Sequence, residues 1–597
     1  MEIHPRDKQE LIEAAMGKRP CDLVILNAQI VNVFTGEIYK GDVGVYDGFI
    51  AHIQCDPDNL HREEKELEGK RYYDAQGKFL IPGFIDAHIH IESTMMTPKN
   101  FTEVALPHGT TSVVTDPHEI ANVCGIEGVR YMHDSSEGLP MRHYVLAPSC
   151  VPAVPGKENS GAVFTDKEVK GLLDLNRVIG LAEVMDYLGV INNDKRMVDI
   201  IGSVQKRGLF LQGHAPFLSG RELSAYICAG PNSDHESRTS QEARDKMRVG
   251  MYVDARESSM SKNVETIVKG ISDFRYLTYL TLCTDDREPE DILKDGHMND
   301  VVRSAIKYGM NPIDAIRSAT LNTAKEIGVK NLGAIAPGFV GDMIIVDSLE
   351  EMIPNAVFYQ GDLVAEDGKL KVKLEDKYFD IEDRNTMFVE ELEKEDFKIK
   401  APIKEGKIKT RIIKYRELNF STTDFIIEEL PVKNGYIDIS HDPDLKYVIV
   451  INRHKGYDTK GYGIVRNFGT NIGTIGSTVS HDSHNLTIVY DNYKNAYLAA
   501  KDLIKIGGGL CCAVEGELVE HLALPIGGLM SNKPCREIAK EASKMKQALR
   551  DIGLTEIDNP LLRIATLALP VIPNAKMSDL GMIDVLSQEI LPMFDIN

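Results

Sequence analysis

The sequence predicts an α/β protein built around a (β/α)₈ barrel. From about residue 81 to 330, short apolar runs alternate with helical stretches. Each run has the length of a buried strand, and each ends in a polar or titratable residue. Repeated βα units over roughly 250 residues match the size of a closed eight-unit barrel. A doubly wound open sheet is the competing architecture.

We expect the barrel to occupy residues 81–332, between two flanks rich in strand-forming residues. Residues 1–80 begin with a short amphipathic helix and continue with Val- and Ile-rich runs broken by Gly and Asp, a pattern typical of strands and hairpin turns. Residues 333–375 are again strand-and-turn sequence, so both flanks should build one small β-sandwich domain. Residues 376–410 are expected to form a charged linker or surface helix, and residues 411–597 a C-terminal αβ domain.

Composition excludes several classes of partner. The formal net charge of −22 disfavours nucleic acid and anionic membranes, because phosphate binding needs clustered Lys and Arg. Nine cysteines in 597 residues are too sparse for a disulfide framework. The first residues have no apolar signal core, and no apolar run reaches membrane-spanning length. These features favour a cytoplasmic protein.

The segment Asp86-Ala-His88-Ile-His90 is the strongest local signal for chemistry. Alternate side chains of a strand share a face, so His88 and His90 can point together at one ion. Neutral imidazole is a common ligand for divalent metals. Two surface or core histidines that meet by chance are the alternative.

Later strand ends supply further ligand types. They are Glu183, His214, His235 and Asp285. With the first pair, they provide four imidazoles and two carboxylates, enough for two divalent cations with a carboxylate between them. Two metals about 3.5–4 Å apart can activate one water and polarise a substrate. Imidazole and carboxylate without thiolate suit Mn, Fe or Zn.

Other metal and nucleotide motifs are incomplete. The His90-Ile-Glu92 pattern of small cytidine-type deaminases lacks its PCxxC partner. His118-Glu119 begins an HExxH motif whose second histidine is replaced by Asn122. The sequence contains neither a P-loop nor a dinucleotide-type GxGxxG.

On the segments PGFIDAHIHIEST, GLAEVMDY, LQGHAP, SDHES and CTDD, the sequence resembles the amidohydrolase superfamily and, within it, the bacterial-type adenine deaminases. The resemblance covers nearly the whole chain. It implies the metal ligands His88, His90, Glu183, His214, His235 and Asp285. Many superfamily members carry a carboxylated lysine at this position. This sequence instead has a glutamate, Glu183, and so do the adenine deaminases that it resembles. Asp285 is also expected to carry a proton, with Asp286 as the second choice.

The segments TTSVVTDPHEIANVCG, STVSHDSHN and LPIGGLMS resemble adenine deaminase motifs in particular. They imply hydrolytic deamination of adenine, a purine base, to hypoxanthine and ammonia by a hydroxide that bridges the metals. Mn²⁺ or Fe²⁺ is favoured, Zn²⁺ is the further option, and a homo-oligomer (dimer or tetramer) is expected. The alternative activity is hydrolysis of an amide, as in an N-acetyl-amino-sugar deacetylase. A non-catalytic relative that serves as an assembly scaffold is a further alternative, but such proteins usually lose metal ligands, and this sequence retains all six.

Four further residues are candidates for substrate contact. His118 and Glu119 follow the second barrel strand, and His481 and His484 lie in a dense polar cluster of the C-terminal region. A hydrogen-bonded turn is the alternative for that cluster. Either Glu119 or His118 is expected to protonate ring nitrogen N1 as C6 becomes tetrahedral. His235 should hold metal, although in some superfamily members a late-barrel histidine polarises the substrate instead.

Overall fold

A computed structural model of the chain describes residues 1–55, 66–417, 422–572 and 574–594. Residues 56–65 of the expected N-terminal β-region lie outside the described residues, as do residues 418–421, 573 and 595–597 of the C-terminal region. Within the described ranges, no helix combines the length and apolar character needed to cross a membrane.

A short helix and five strands precede the central region among the residues that the structure describes. Asp7 caps helix α1 (Lys8–Ala15) by accepting hydrogen bonds from the backbone N–H groups of Gln9 and Glu10. The strands are β1 (Leu23–Asn32), β2 (Glu37–Tyr46), β3 (Phe49–Cys55), β4 (Tyr72–Asp74) and β5 (Phe79–Pro82). β1, β2 and β3 are antiparallel neighbours, as the turn residues between them predict.

Eight parallel strands form the centre of the molecule. They are β6 (Phe84–Ile89), β7 (Thr110–Thr115), β8 (Arg142–Ala147), β9 (Val178–Val184), β10 (Phe210–Gly213), β11 (Ser233–Asp234), β12 (Tyr252–Arg256) and β13 (Leu280–Cys283). Five pair in the order β10-β9-β8-β7-β6 and three in the order β11-β12-β13. The N–H of Asn232 donates to Leu211 O at 3.2 Å, and the N–H of Asp285 donates to His88 O at 2.9 Å. These bonds join the two sheets at both sides.

Helices connect the central strands, follow the last of them and cover their outer faces. They are α2 (Pro98–Ala105), α3 (His118–Cys124), α4 (Ile126–Ser135), α5 (Asp166–Leu172), α6 (Tyr187–Ile191), α7 (Lys195–Gln205), α8 (Gly220–Ala229), α9 (Ser240–Arg248), α10 (Val264–Gly270), α11 (Pro289–Asp295), α12 (Met298–Lys307), α13 (Pro312–Arg317) and α14 (Thr323–Glu326). Because both faces are covered, strands such as β7 and β9 are buried along their whole length.

The two flanks of the central region share one sheet. After α14 come β14 (Met343–Val346), β15 (Pro354–Tyr359), β16 (Asp362–Glu366) and β17 (Lys369–Leu370). β14 pairs antiparallel with β5, and β5 pairs with β1. The described strands of both flanks therefore form one continuous nine-stranded sheet.

The charged segment 376–410 has no α-helix among its residues, all of which the structure describes. It contains two 3₁₀ turns, Asp380–Asp383 and Lys394–Phe397, and strand β18 begins at its end. Met387, Leu392 and Phe397 are buried in one apolar cluster with residues of the C-terminal region. Spaced apolar residues thus pack this segment against the protein despite its charge.

The described part of the C-terminal region contains a second nine-stranded sheet and three α-helices. Its elements are β18 (Gly406–Tyr415), β19 (Thr423–Lys433), β20 (Tyr436–Ile437), β21 (Leu445–Ile451), β22 (Lys460–Arg466), β23 (Thr474–Ser477), β24 (Leu486–Tyr490), α15 (Tyr493–Ile506), β25 (Gly509–Val514), β26 (Glu517–Ala523), α16 (Cys535–Asp551), α17 (Leu562–Ala565), β27 (Ala575–Ser578), β28 (Gly581–Asp584) and β29 (Glu589–Leu591). The sheet order is β20-β19-β18-β22-β21-β24-β23-β25-β26. The loop between β23 and β24 reaches the carboxyl ends of the central strands.

Candidate metal centre and active site

The six ligands implied by the sequence lie at the carboxyl ends of the central strands. His88 lies in β6 and Glu183 in β9, and the other four follow their strands by one or two residues. Each of the six is at most 8% exposed. Since parallel strands end at the same edge, residues separated by almost two hundred positions meet in one buried cluster.

Glu183 lies between two groups of histidines. Its Oε1 is 3.4 Å from Nε2 of His90. Its Oε2 is 2.5 Å from Nδ1 of His214 and 3.3 Å from Nε2 of His235. The two carboxylate oxygens therefore face different imidazoles, which is the arrangement that a carboxylate shared by two cations requires.

Asp285 completes the cluster from the opposite side. Its Oδ1 is 3.5 Å from Nε2 of His88 and 3.4 Å from Nε2 of His90, while Oδ2 accepts a hydrogen bond from the Arg256 guanidinium. Its backbone has φ = 56°, a left-handed conformation that is uncommon for a non-glycine residue. The hydrogen bond from its N–H to His88 O holds this conformation and ties Asp285 to β6.

The first two histidines are oriented by partners on their far nitrogens. Nδ1 of His88 lies 2.9 Å from Oε1 of Gln212, whose Nε2 donates to Ala87 O at 3.1 Å. Nδ1 of His90 lies 3.1 Å from the backbone oxygen of Asp116. Both Nδ1 atoms therefore donate, and both Nε2 atoms, 3.1 Å apart, are left with lone pairs for a cation.

The electrostatics of the cluster favour anionic carboxylates. Burial alone would raise the pKa of Glu183, but His214, His235 and His90 hold that pKa well below its usual value. Burial is likewise outweighed at Asp285, where Arg256, His88 and His90 hold the pKa well below its usual value. Ionised carboxylates among buried imidazoles suit a divalent cation. The donor set therefore fits a divalent-metal centre.

A cavity of about 460 Å³ opens over this cluster. One side is formed by residues at the ends of the central strands, among them His90, Glu183, His214, His235 and Asp285. The other side comes from the C-terminal region and includes His481, Asp482, Asn559, Arg563 and Thr566. The C-terminal region thus covers the cluster of six side chains and leaves room for a small molecule between the two.

The candidate substrate contacts also meet here, although not all reach the cavity. His118, Glu119 and His481 line it. His484 is not among the lining residues; its Nε2 lies 2.5 Å from Oε2 of Glu119. The Glu119 carboxylate at the end of the central strands and the two histidines of the C-terminal region are therefore in direct contact.

Sequence reasoning missed several residues that orient the cluster. Gln212 and Arg256 lie within the strand-end runs LFLQGHA and MYVDAR, and this position could have identified them as residues near the site. Glu236, which accepts a hydrogen bond from Arg256 at 2.7 Å, was also missed. Asp286, the second choice for the ligand, instead accepts a hydrogen bond from Ser93 Oγ at 2.6 Å. Burial and the charge of Asp285 raise the pKa of Asp286.

Comparison with known proteins places this site in a family. Residues 79–409 match the profile described as amidohydrolase family, and residues 421–589 match the adenine deaminase C-terminal domain. Adenine deaminase 2 of Carboxydothermus hydrogenoformans is 40% identical over 588 residues, covering 98% of this chain and 99% of that protein. The chain belongs to the adenine deaminase family. The adenine deaminase of Kosmotoga olearia is 36% identical to this family member, over 98% of each chain.

Solved structures similar to this adenine deaminase family member match at low identity. An adenosine deaminase from Xanthomonas campestris with bound zinc is 16% identical, with a TM-score of 0.44, covering 60% of this chain and 95% of its own. A β-aspartyl dipeptidase from Fervidobacterium islandicum is 18% identical, with a TM-score of 0.43, covering 60% of this chain and 100% of its own. The family resemblance seen in the sequence is confirmed by the profiles and the full-length relatives.

Proposed function

We propose that this protein hydrolyses adenine to hypoxanthine and ammonia. The observation that carries the proposal is the buried cluster of four imidazoles and two carboxylates beneath a small-molecule cavity. Membership in the adenine deaminase family, with similarity that extends through the C-terminal region, directs the proposal to adenine. Hydrolysis of an amide, the alternative from the sequence, is not favoured by those relatives.

In this proposal the residues that would hold metal are His88, His90, Glu183, His214, His235 and Asp285. Glu183, which has histidines on both sides, would be shared if two divalent ions bind. We favour Mn²⁺ or Fe²⁺ over Zn²⁺. A divalent ion, when bound, lowers the pKa of a coordinated water toward about 7 and so supplies a nucleophile at neutral pH. Metal analysis of the purified protein tests this assignment, with about two ions per chain expected for such a pair.

The residues of the chain have separate tasks in this scheme. Asp285 accepts a proton from the attacking water and delivers it to the departing amine, a step of the kind that contributes about 10²–10⁴-fold. Arg256 keeps Asp285 anionic before that transfer, because it donates to the second carboxylate oxygen. His235 and Glu183 would act as metal ligands. The C-terminal residues that line the cavity would enclose the purine and exclude bulk water.

We also propose the overall layout in which this site works. The eight central strands close into a (β/α)₈ barrel over residues 81–332, between flanks at residues 1–80 and 333–375. Residues 376–410 link the barrel to the domain at 411–597. The pairing of β5 with β14 and the bonds between the two parallel sheets support this layout. We further propose a homo-oligomer, dimer or tetramer, which light scattering of the purified protein tests.

The activity is tested with full-length protein loaded with manganese. Adenine is added, the change in purine absorbance is followed, and ammonia release is measured in parallel. Equal rates of base conversion and ammonia release are the expected result. Absence of both, together with acetate release from an N-acetyl-amino sugar, would replace the proposal with the amide hydrolase.

A further inference from the structure

Glu119 forms a bridge between the central strands and the C-terminal region. It lies in α3, directly after the carboxyl end of β7. Its Oε1 is 2.7 Å from Nδ1 of His481, and its Oε2 is 2.5 Å from Nε2 of His484. All three residues are at most 5% exposed. One buried carboxylate is therefore shared by two imidazoles from the loop between β23 and β24.

The tautomer of His484 argues against another metal site at these three side chains. Nδ1 of His484 accepts a hydrogen bond from the backbone N–H of Ser480 at 3.2 Å. In neutral His484 the ring proton must then be on Nε2, the atom that faces Glu119. A protonated Nε2 cannot ligate a cation, although the three side chains lie close enough together to suggest one.

The two imidazoles make Glu119 a poor proton donor. Burial alone would raise the pKa of Glu119, but His481 and His484 hold it well below its usual value. An ionised carboxylate accepts hydrogen bonds and has no proton to give. Glu119 is therefore suited to orienting its partners and not to protonating a purine.

His481 has the opposite character. Its Nδ1 is held by Glu119, whereas no partner for its Nε2 is found among the described residues, and the side chain lines the cavity together with His90 and Asp285. The groups that face it are Glu119 from α3, Asp286 from the end of β13, and Asp482 and His484 from its own loop. Burial lowers the pKa of His481, but Glu119, Asp286 and Asp482 raise it to about 9.

His118, the other candidate acid, has carboxylates near both of its ring nitrogens. Its Nδ1 lies 3.0 Å from Asp116 Oδ2 and 3.6 Å from Glu183 Oε1. Its Nε2 lies 3.7 Å from Asp482 and 3.8 Å from Glu119. Because carboxylates surround both nitrogens, His118 is less free than His481 to give a proton to a ligand in the cavity.

We infer that His481, held by Glu119, is the acid that protonates the purine ring during deamination. The inference rests on the proposed adenine deamination. The Nε2–H bond of His481 breaks as an N–H bond forms at N1, while water adds to C6. One proton of that water leaves with ammonia through Asp285. The other replaces, through solvent, the proton that His481 gave, so the reaction balances as adenine plus water to hypoxanthine plus ammonia.

The test compares His481→Gln with wild type in manganese-loaded, full-length protein. We expect kcat on adenine to fall by about 10²-fold or more, with KM changed by less and metal content unchanged. Wild-type kcat/KM should decrease above about pH 9, where His481 loses its proton, and the variant should lack that decrease. Imidazole added to His481→Ala should restore part of the rate. His441→Gln, at an exposed position of the same region, is the matched control and should keep wild-type kinetics.

Three results would overturn the inference. A His481→Gln protein with full metal content and kcat within about threefold of wild type would show that another group is the acid. If kcat/KM of the His481→Gln variant still decreased above about pH 9 as in wild type, another group would again have to be the acid. Loss of activity without imidazole rescue would assign His481 a structural role. Wild-type protein inactive on adenine would instead refute the proposed function, and the inference with it.

Discussion

The side-chain oxygen of Gln212 lies 2.9 Å from Nδ1 of His88. Because Gln212 Nε2 donates to Ala87 O, the amide cannot turn its NH₂ group toward the imidazole without losing that bond. The proton of His88 is therefore held on Nδ1, and Nε2 remains available to a cation. One uncharged residue of β10 thus sets the tautomer of a proposed ligand in β6.

The first prediction concerns this bond. Gln212→Leu should weaken metal binding by about 10–100-fold, because His88 loses the partner that fixes its tautomer. Competition with a chelator of known affinity measures the change. Gln205→Leu, at an exposed position in α7, is the control and should bind metal as wild type does. Wild-type affinity in Gln212→Leu would contradict the orienting role.

The second prediction concerns Glu183. Glu183→Gln keeps the size of the side chain but removes the negative charge that the histidines on both sides share. Metal content and turnover should both fall greatly. Elemental analysis and the adenine assay measure them, with Glu222→Gln, exposed in α8, as the control. Full activity with full metal content would refute a bridging role.

The third prediction separates proton transfer from folding. Asp285→Asn should lower turnover by about 10²-fold or more, because an amide cannot accept the proton of the attacking water. The circular dichroism spectrum should remain that of wild type, since the bond from the backbone N–H to His88 O does not need the carboxylate. A wild-type rate would show that the proton carrier is another residue.

The fourth prediction is the effect of removing metal. Dialysis against a chelator should abolish adenine turnover, and manganese should restore it. The chelated protein should keep its secondary structure but melt at a lower temperature, because a ligand that binds only the native state stabilises that state. Differential scanning calorimetry measures the shift. An identical melting temperature with and without metal would argue against ions at this buried cluster.

The fifth prediction concerns a lysine buried behind the cavity wall. Burial, with Arg563 and Arg238 nearby, lowers the pKa of Lys576 from 10.5 to about 7. Below about pH 7 Lys576 is protonated in both the folded and the unfolded protein, so burying its charge costs the full amount of folding free energy. Between about pH 7 and pH 10.5 Lys576 is protonated mainly in the unfolded chain. The destabilisation caused by its burial therefore decreases as pH rises, by at most about 1.4 kcal/mol per pH unit.

Lys576→Met should therefore raise the melting temperature, and the increase should be larger at pH 6.5 than at pH 9. Met preserves most of the side-chain volume, although the bond from Nζ to Thr566 O at 2.8 Å is lost. Thermal melts of metal-loaded wild type and variant across this range measure the difference. A difference that grows with pH would contradict the lowered pKa.

Much of this protein was accessible from its sequence alone. The alternation of strand-length and helical segments predicts the parallel central strands, because the spacing of apolar residues can be read from local sequence. The residue types at the strand ends predict metal chemistry, since parallel strands bring their carboxyl ends to one edge. The motif at His88 and His90 and the later strand ends are enough to indicate the family, and full-length relatives support it.

Tertiary structure alone decided which side chains face one another. The sequence does not pair Gln212 with His88, or Glu119 with His481, because the partners are 124 and more than 300 residues apart in the chain. The single flank sheet likewise follows from the pairing of β5 with β14. Local patterns determine elements and the kind of chemistry at their ends. Hydrogen-bond partners, and with them tautomers and protonation states, depend on packing between distant segments.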